Sequence, residues 1–471
     1  MRFDKDNYQI ENITIGEKSI DIRAFRNIIY VDKPVCEEFQ RMNIFAPEKY
    51  YSGEKINGYS IKTAPIFMPN MVGGYMPGIV GEPAGMPWER KDVPNTFFRA
   101  LQHGYVVVIP AIRGRVLKNE TGEYIGKAPA CVVDYKAAVR YLRYFAKDIP
   151  GDVEKIITNG TSAGGALSSL MGATGNNPDY EIYLEEIGAA KERDDIFAAS
   201  CYCPIINLEN ADVAYEWQFL GVNDYHRMHM NMDEGGRPQF TPIDGEMSSE
   251  QIKVSKDLAS LFPCYVNSLN LKDEAGNSLT LSPDGNGTFK DYMKKIVLDS
   301  VRHAMETGID VLDKKWLSFV DGTVVDMDWY EYAKDITRMK TAPAFDALTM
   351  DSPENDLFGN SDVNMRHFTE YGLANSKVVG EKAEDEVIKL MNPMSYIEKE
   401  NAIKAKYWRI RHGECDRDTS LAISAILSLK LKENGCEVDY HSPWSIPHAG
   451  DYDLDELFEW IDGLCKNDMK K

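Results

Sequence analysis

A glycine–X–serine–X–glycine pattern between a strand and a helix constrains this chain more than any other feature. Residues 160–164 read GTSAG. The preceding residues 155–158 (KIIT) have the apolar, β-branched character of a strand, and small residues suited to a closely packed helix follow. A turn this sharp strains its middle residue and leaves no room for bulk two positions before and after it. We therefore predict that Ser162 is an exposed nucleophile.

Short apolar runs alternate with helical patterns over the first 205 residues. Residues 64–69 (APIFMP) and 105–110 (YVVVIP) are continuous apolar runs, as expected for strands buried on both faces of a sheet. Residues 130–146 have a helical repeat of apolar side chains. This alternation predicts an α/β protein with a mostly parallel central sheet flanked by helices, and the serine turn makes it typical of the α/β-hydrolase fold. We place the first sheet strand at 64–69, about sixty residues into the chain.

The pattern changes in the middle of the chain. After residue 205 the sequence is rich in Asn, Asp, Met and Trp, with few strand patterns. Strand patterns resume at 407–411 (YWRIR) and 437–441 (EVDYH), and an amphipathic helix is predicted over 453–465. We therefore divide the chain into a first hydrolase core part, a large lid insertion and a second core part: 1–204, 205–396 and 397–471.

A serine nucleophile in this fold needs an acid and a histidine base, which follow it along the chain in that order. His448 lies in a loop between the last predicted strand and the final helix, where the base should emerge, whereas His441 lies within the strand. The acid should follow the preceding strand, where Asp416 stands after a glycine turn. Asp416 is expected to orient the imidazole and stabilise its cation. Asp418 is the main alternative for this role, and Glu414 a weaker one.

Ester hydrolysis also needs two N–H groups that stabilise the developing oxyanion. Ala163, directly after the nucleophile, should provide one of them. The second should come from the loop NMVGGYMPG that follows residues 64–69, where Gly74 allows bare backbone to approach the substrate. An ordinary glycine turn is the alternative interpretation of this loop.

Composition and charge disfavour several classes of function. The formal charge of −21 is repulsive to nucleic acids. No apolar run approaches the roughly 20 residues of a membrane span, and the opening MRFDKDNYQIENITIGEK lacks the pattern of a signal peptide. The eight cysteines are too sparse for a disulfide framework. We expect a cytoplasmic protein without a cofactor and without a nucleic-acid or membrane partner; its oligomeric state is left open.

Two charged segments allow weaker hypotheses. Residues 224–229 (DYHRMH) contain two histidines three positions apart, but without a convincing third ligand we interpret them as a polar lid segment, and no metal site is assigned. Arg113 and Arg115 follow a predicted strand. For them we favour ion pairing to the acidic surface over binding of a carboxylate.

Four separate motifs resemble those of bacterial tannases, α/β-hydrolases that release gallic acid from gallate esters. They are the serine turn, the NMVGGYMPG loop, the acid loop GECDRD and the histidine loop PHAGDYD. Residues 338–359 are also similar, so the resemblance covers nearly the whole chain. It implies a serine esterase that acts on small phenolic esters through an acyl-enzyme.

The resemblance also implies a set of substrate-binding residues. Lys340, Glu354 and Asp418 match residues that hold the three phenolic hydroxyls of the galloyl ring. Carboxylates and an ammonium group form charge-assisted hydrogen bonds with phenols, and such a site rejects rings that lack hydroxyls. Without the resemblance, these charges would be interpreted as solvated surface groups.

The sequence departs from fungal tannases and feruloyl esterases, which join cysteines placed beside the serine and the histidine. Thr161 and Ala449 occupy those positions here, so we expect no disulfide at the triad. A feruloyl or general aryl esterase of the same fold is the main alternative function. A peptidase of the S9 type is disfavoured by the short segment before the first predicted strand, and a non-enzymatic module by the intact triad.

Overall fold

A computed structural model describes residues 1–86, 92–232 and 238–468. The strands of these residues, in chain order, are β1 (Gln9–Ile15), β2 (Lys18–Ile29), β3 (Arg41–Pro47), β4 (Pro65–Pro69), β5 (Val106–Pro110), β6 (Asp152–Thr161), β7 (Ala198–Tyr202), β8 (Asp224–Met232), β9 (Pro238–Glu246), β10 (Leu317–Val320), β11 (Thr323–Met327), β12 (Tyr407–Arg411) and β13 (Glu437–His441).

The α-helices are α1 (Thr96–Gln102), α2 (Ala130–Tyr144), α3 (Ala163–Ala173), α4 (Glu181–Glu186), α5 (Leu208–Gln218), α6 (Ser249–Ser268), α7 (Thr288–Glu306), α8 (Trp329–Ile336), α9 (Pro353–Leu357), α10 (Glu370–Ala374), α11 (Asp385–Leu390), α12 (Leu421–Glu433) and α13 (Leu454–Asp468). Short 3-10 helices span Glu37–Phe39, Glu48–Ser52, Pro178–Tyr180 and Pro393–Ser395. No helix in the described ranges is long and apolar enough to cross a membrane.

One large sheet organises the molecule. Its strand order is β1-β2-β3-β5-β4-β6-β7-β12-β13. In this order, neighbouring strands from β5 onward (β5-β4-β6-β7-β12-β13) are parallel, whereas neighbouring strands up to β5 (β1-β2-β3-β5) are antiparallel. The central strands β4, β5 and β7 are buried along their whole length, as their continuous apolar sequences predict. The predicted mostly parallel sheet of an α/β-hydrolase is confirmed.

The sheet begins earlier in the chain than we predicted. The first strand is Gln9–Ile15, and not residues 64–69, so the N-terminal segment belongs to the main sheet. Strands β1 and β2 lie at one edge of the sheet, where polar side chains are exposed and only a few residues, such as Ile13 and Ile22, are buried. Such strands lack the continuous apolar run that identifies the central strands.

The middle of the chain contributes no described strand to the main sheet. Residues 205–396 form α5 to α11 and two small hairpin sheets, β8 with β9 and β10 with β11. The C-terminal part then completes the main sheet, because β12 pairs in parallel with β7 and β13 pairs with β12. The division at residues 204 and 396 stays a prediction.

Candidate active site

The predicted site residues lie on loops at one edge of the sheet. In a parallel sheet the carboxyl ends of the strands share an edge, which is where α/β proteins bind ligands. Gly74 follows β4, Ser162 follows β6, Asp416 follows β12 and His448 follows β13. Four loops that are distant in sequence therefore meet at this edge.

Ser162 has the strained backbone expected at the serine turn. Its φ of 62° and ψ of −122° place it in the left-handed region, which side chains other than glycine rarely adopt. A Cβ atom at Gly160 would collide with the carbonyl group of Gly164, and one at Gly164 would collide with Asn70. The two glycines of the motif thus have the steric role that the sequence predicts.

Asp416 and His448 form a direct pair. The His448 Nδ1 atom lies 2.8 Å from Asp416 Oδ2, and Asp416 is 1% exposed. Because Nδ1 donates to the carboxylate, Nε2 keeps a free lone pair and can accept a proton. The two alternative acids have other partners: the Asp418 carboxylate pairs with Lys340, and Glu414 accepts from the backbone of Ser445.

The pair shifts the pKa values of both groups. Burial raises the pKa of Asp416, but the neighbouring imidazoles of His448 and His412 outweigh burial and lower it overall. Burial lowers the pKa of His448, but the Asp416 carboxylate outweighs this effect and the net shift is upward. Asp416 therefore stabilises the imidazolium that a general base becomes.

The histidine loop packs directly on the serine turn. A Cβ atom at Gly450 would collide with the side chain of Thr161, so only glycine allows this approach. Within the described residues, however, the Ser162 hydroxyl does not hydrogen-bond to His448. His448 Nε2 instead faces the Cys203 thiol, with Sγ 3.9 Å away. Sequence reasoning missed Cys203, whose only signal is its position directly after β7.

The two predicted oxyanion donors have free backbone N–H groups. Ala163 is the first residue of α3, and Gly74 has a φ of 54° in the loop after β4. Neither N–H group donates to another group in the part of the chain that the structure describes. Arg115 donates from Nε to the Gly74 carbonyl oxygen at 2.8 Å and also pairs with Asp356. It therefore ties the Gly74 loop to Asp356, a role that the sequence did not reveal.

Two of the three predicted ring-binding residues form an ion pair, and the charge of Lys340 also acts on the third, Glu354. Lys340 Nζ lies 3.2 Å from Asp418 Oδ1 and 3.9 Å from the centre of the Phe345 ring. Glu354, on α9, is buried, and burial raises the pKa of its carboxyl group while the positive charge of Lys340 opposes this shift. This cluster comprises one ammonium group and two carboxylates, and the Asp418 carboxylate is the one that pairs with the ammonium group.

The Tyr215 hydroxyl joins two of the segments that form this cluster. It accepts hydrogen bonds from the backbone N–H groups of Met339 and Lys340, at 3.0 and 3.1 Å. It donates to the carbonyl oxygen of Arg417 at 2.9 Å. One side chain of α5 thus holds the backbone at Lys340 beside the loop that carries Asp416 and Asp418.

The remaining hypotheses from the sequence have simpler outcomes. In residues 224–229, His226 pairs with Asp244, while the side chain of His229 lies outside the described residues. Arg113 forms its ion pair with the buried Asp134 and not with the surface. None of the eight cysteines forms a disulfide, in line with the expectation for the triad.

Solved structures of high similarity are tannases. The tannase of Lactobacillus plantarum is 45% identical with a TM-score of 0.95, over 98% of this chain and 99% of that chain. The Fusobacterium nucleatum tannase is 46% identical with a TM-score of 0.93, over 98% and 99%. The tannin acyl hydrolase solved in complex with ethyl gallate is 45% identical with a TM-score of 0.93, over 98% of each chain.

The other two comparisons add less. A family model described as BD-FAE matches residues 88–230, a span that includes the serine turn. No curated protein matches the chain.

Proposed function

Because this chain belongs to the bacterial tannase family and is thus a carboxylic ester hydrolase, we propose that it cleaves galloyl esters through a Ser162–His448–Asp416 triad. One observation carries the proposal. The strained serine, the hydrogen-bonded His448–Asp416 pair and the Lys340–Asp418 pair occupy adjoining loops at one edge of the sheet.

Acylation follows from this arrangement. Ser162 Oγ attacks the ester carbonyl carbon. At the same time the His448 side chain, rotated so that Nε2 faces away from Cys203, takes the hydroxyl proton. The carbonyl oxygen becomes an oxyanion, which the N–H groups of Ala163 and Gly74 stabilise. His448 then returns the proton to the leaving alcohol, and the galloyl group remains bonded to Ser162.

Deacylation repeats the same steps with water as the nucleophile. His448 removes a proton from the water that attacks the acyl carbon, and Ser162 leaves with that proton. Gallic acid and the free enzyme are the products. Asp416 stays ionised throughout, because its role is to orient and stabilise the imidazolium.

The Lys340–Glu354–Asp418 cluster accounts for selectivity toward the galloyl ring. In the absence of substrate, Lys340 and Asp418 satisfy each other at 3.2 Å. Phenolic hydroxyls that bind between them supply donors for the two carboxylates and an acceptor for the ammonium group. A ring without hydroxyls would separate these charges without replacing their partners, which is costly for a partly buried pair.

Comparison of ring-substituted methyl esters tests the proposal. A buried carboxylate that is deprived of a hydrogen-bond donor costs roughly 1–3 kcal/mol. We therefore expect kcat/KM of the purified protein to fall about ten- to a hundredfold per hydroxyl removed, from methyl gallate through methyl protocatechuate to methyl 4-hydroxybenzoate. For the Glu354→Ala variant, kcat/KM on methyl gallate should be lower than for wild type, and it should decrease less from one ester of the series to the next.

Glu370→Ala is the matched control, because the Glu370 side chain is 82% exposed on the same inserted segment. It should keep the wild-type dependence on ring hydroxyls. If kcat/KM falls equally steeply with each hydroxyl removed in wild type and in Glu354→Ala, this lid carboxylate does not contact the ring. The function would then be that of a general aryl esterase. Faster hydrolysis of methyl ferulate than of methyl gallate would indicate a feruloyl esterase.

A further inference from the structure

The proposed base has a buried thiol beside it, and the two side chains are potential metal ligands. Cys203 Sγ is 3.9 Å from His448 Nε2 and 3.5 Å from the Ala449 carbonyl oxygen. The thiol, the imidazole and the Asp416 carboxylate each place a ligand atom within 4.8 Å of the others. The proposed catalytic steps use His448 and Asp416 but give Cys203 no role.

The distance between sulfur and nitrogen suits one bound metal ion. Zinc binds thiolate sulfur at about 2.3 Å and imidazole nitrogen at about 2.0–2.1 Å, so tetrahedral geometry places the two ligand atoms about 3.6 Å apart. The observed 3.9 Å differs from this value by only a few tenths of an ångström, a change that side-chain rotation accommodates.

The surroundings also match those of a metal-binding histidine. Such a histidine commonly donates its second ring N–H to a carboxylate, which directs the lone pair of the other nitrogen at the metal. Asp416 binds Nδ1 of His448 at 2.8 Å in this way, while Nε2 points at the thiol. Cys203 is fully buried, whereas the His448 side chain is 19% exposed, so an ion reaches the pair past His448.

We propose that Cys203 and His448 bind a borderline-soft divalent cation, Zn²⁺ or Cd²⁺, and that this binding inhibits the esterase. The inhibition rests on the proposed function, because the ion occupies the Nε2 lone pair that the base needs. On binding, the thiol loses its proton to solvent, as does Nε2 of any protonated imidazole, and bonds form from the metal to Sγ and to Nε2. Water completes the coordination. Mg²⁺ and Ca²⁺, which prefer oxygen ligands, do not compete for this pair.

Inhibition and absorption spectroscopy on the chelator-treated protein test the proposal. Zn²⁺ should inhibit methyl gallate hydrolysis, excess chelator should restore the activity, and Mg²⁺ should have no effect. Co²⁺ should produce a thiolate-to-metal charge-transfer band in the near ultraviolet. With each variant normalised to its own metal-free rate, Cys203→Ala should raise the half-inhibiting Zn²⁺ concentration at least tenfold and abolish the band.

Cys264→Ala is the control for binding to an exposed thiol, and it should retain both effects. Cys203→Ser keeps the shape of the side chain and serves if the alanine variant does not fold. Equal Zn²⁺ sensitivity of wild type and the Cys203 variants, or a band that survives the loss of Cys203, would overturn the metal site. If the metal-free protein does not hydrolyse methyl gallate, the proposed function fails, whereas the Co²⁺ band still tests the site.

Discussion

At the scale of single residues, the proposed mechanism depends on a serine that makes little contribution to packing. Ser162 is held by its backbone, since its N–H group donates to the Tyr202 carbonyl and its own carbonyl accepts from Ala166 and Ile205. No hydrogen bond of the Ser162 hydroxyl occurs within the described residues. The side chain is thus free for reaction, and the strained turn does not depend on it.

We expect Ser162→Ala to abolish hydrolysis without loss of the fold. An oxyanion hole alone supplies only a small part of the catalysis of such enzymes, so kcat should fall at least about a thousandfold. Steady-state kinetics on methyl gallate measure the rate, and circular dichroism with thermal unfolding checks the fold. A residual rate above about a thousandth of wild type would remove Ser162 from the mechanism.

Asp416→Asn should change both the rate and its pH dependence. The carboxylate raises the pKa of His448, and the base works only when it is neutral. Activity therefore rises as the pH increases through that raised pKa, which gives the pH–rate profile an acid limb. Loss of the carboxylate should lower the pKa and so move this acid limb to lower pH. The plateau of kcat/KM should also fall roughly a thousandfold or more. A pH–rate profile on methyl benzoate measures both effects.

Asp418→Asn is the matched comparison, two residues away. Its side chain binds Lys340 and not the imidazole, so the acid limb should stay in place. It should lower kcat/KM for methyl gallate but have little effect on methyl benzoate. Equal losses on both substrates in both variants would mean that the roles of the two aspartates are wrongly assigned.

At the scale of elements, a buried ion-pair network joins α2 to the loop before β7. Asp194 binds Lys136 Nζ and Arg140 Nε, each at 2.8 Å. The side chains of Lys136 and Asp194 are 0% and 1% exposed. Burial raises the pKa of Asp194, but the two cations outweigh burial and lower it overall. The network therefore stabilises the fold above the usual pKa of an aspartate and loses this effect as pH falls.

Asp194→Ala should destabilise the protein by roughly 3–5 kcal/mol, because it leaves a buried ammonium group without its counterion. Urea unfolding at neutral pH, followed by tryptophan fluorescence, measures the change. Asp455→Ala is the control: the Asp455 side chain is 79% exposed in its pair with Arg99, so about 1 kcal/mol or less is expected. Similar losses in the two variants would contradict the role of burial.

At the scale of the whole molecule, the proposed ring-binding cluster exists only because the middle and the C-terminal part of the chain meet. Lys340 and Glu354 come from the middle of the chain and Asp418 from its C-terminal part. Tyr215 holds Lys340 and the Asp416–Asp418 loop through one hydroxyl, and Arg115 holds the Gly74 loop to Asp356 on α9. The proposed recognition and catalytic residues are thus joined by contacts between segments far apart in sequence.

Tyr215→Phe should weaken ring recognition more than catalysis. Without the hydroxyl, two backbone N–H groups and one carbonyl lose their partner, and Lys340 is less well placed beside Asp418. We expect the ratio of kcat/KM for methyl gallate to that for methyl benzoate to fall about tenfold, from a cost of roughly 1–2 kcal/mol. Tyr180→Phe, which loses a buried hydrogen bond to the Leu390 carbonyl remote from Lys340 in sequence, is the control. An unchanged ratio in Tyr215→Phe would argue against this positioning role.

The central strands and the triad candidates could be predicted from the sequence because local rules determine them. Continuous apolar runs identified β4 and β5, and the order of serine, acid and histidine directed attention to loops after successive strands. The edge strands β1 and β2 escaped prediction because one face of each is exposed, so their apolar residues only alternate with polar ones. Periodicity over a few residues does not reveal how such strands pair.

By itself, the sequence determined the fold class and the candidates for the catalytic residues, because turn sterics and strand burial act over a few neighbouring residues. Only the tertiary structure decided which side chains meet. It placed Cys203 against His448, Arg115 on the Gly74 carbonyl and Tyr215 between Lys340 and Arg417. Each of these contacts joins segments whose approach is set by the packing of the sheet and the inserted segment, and no local pattern records it.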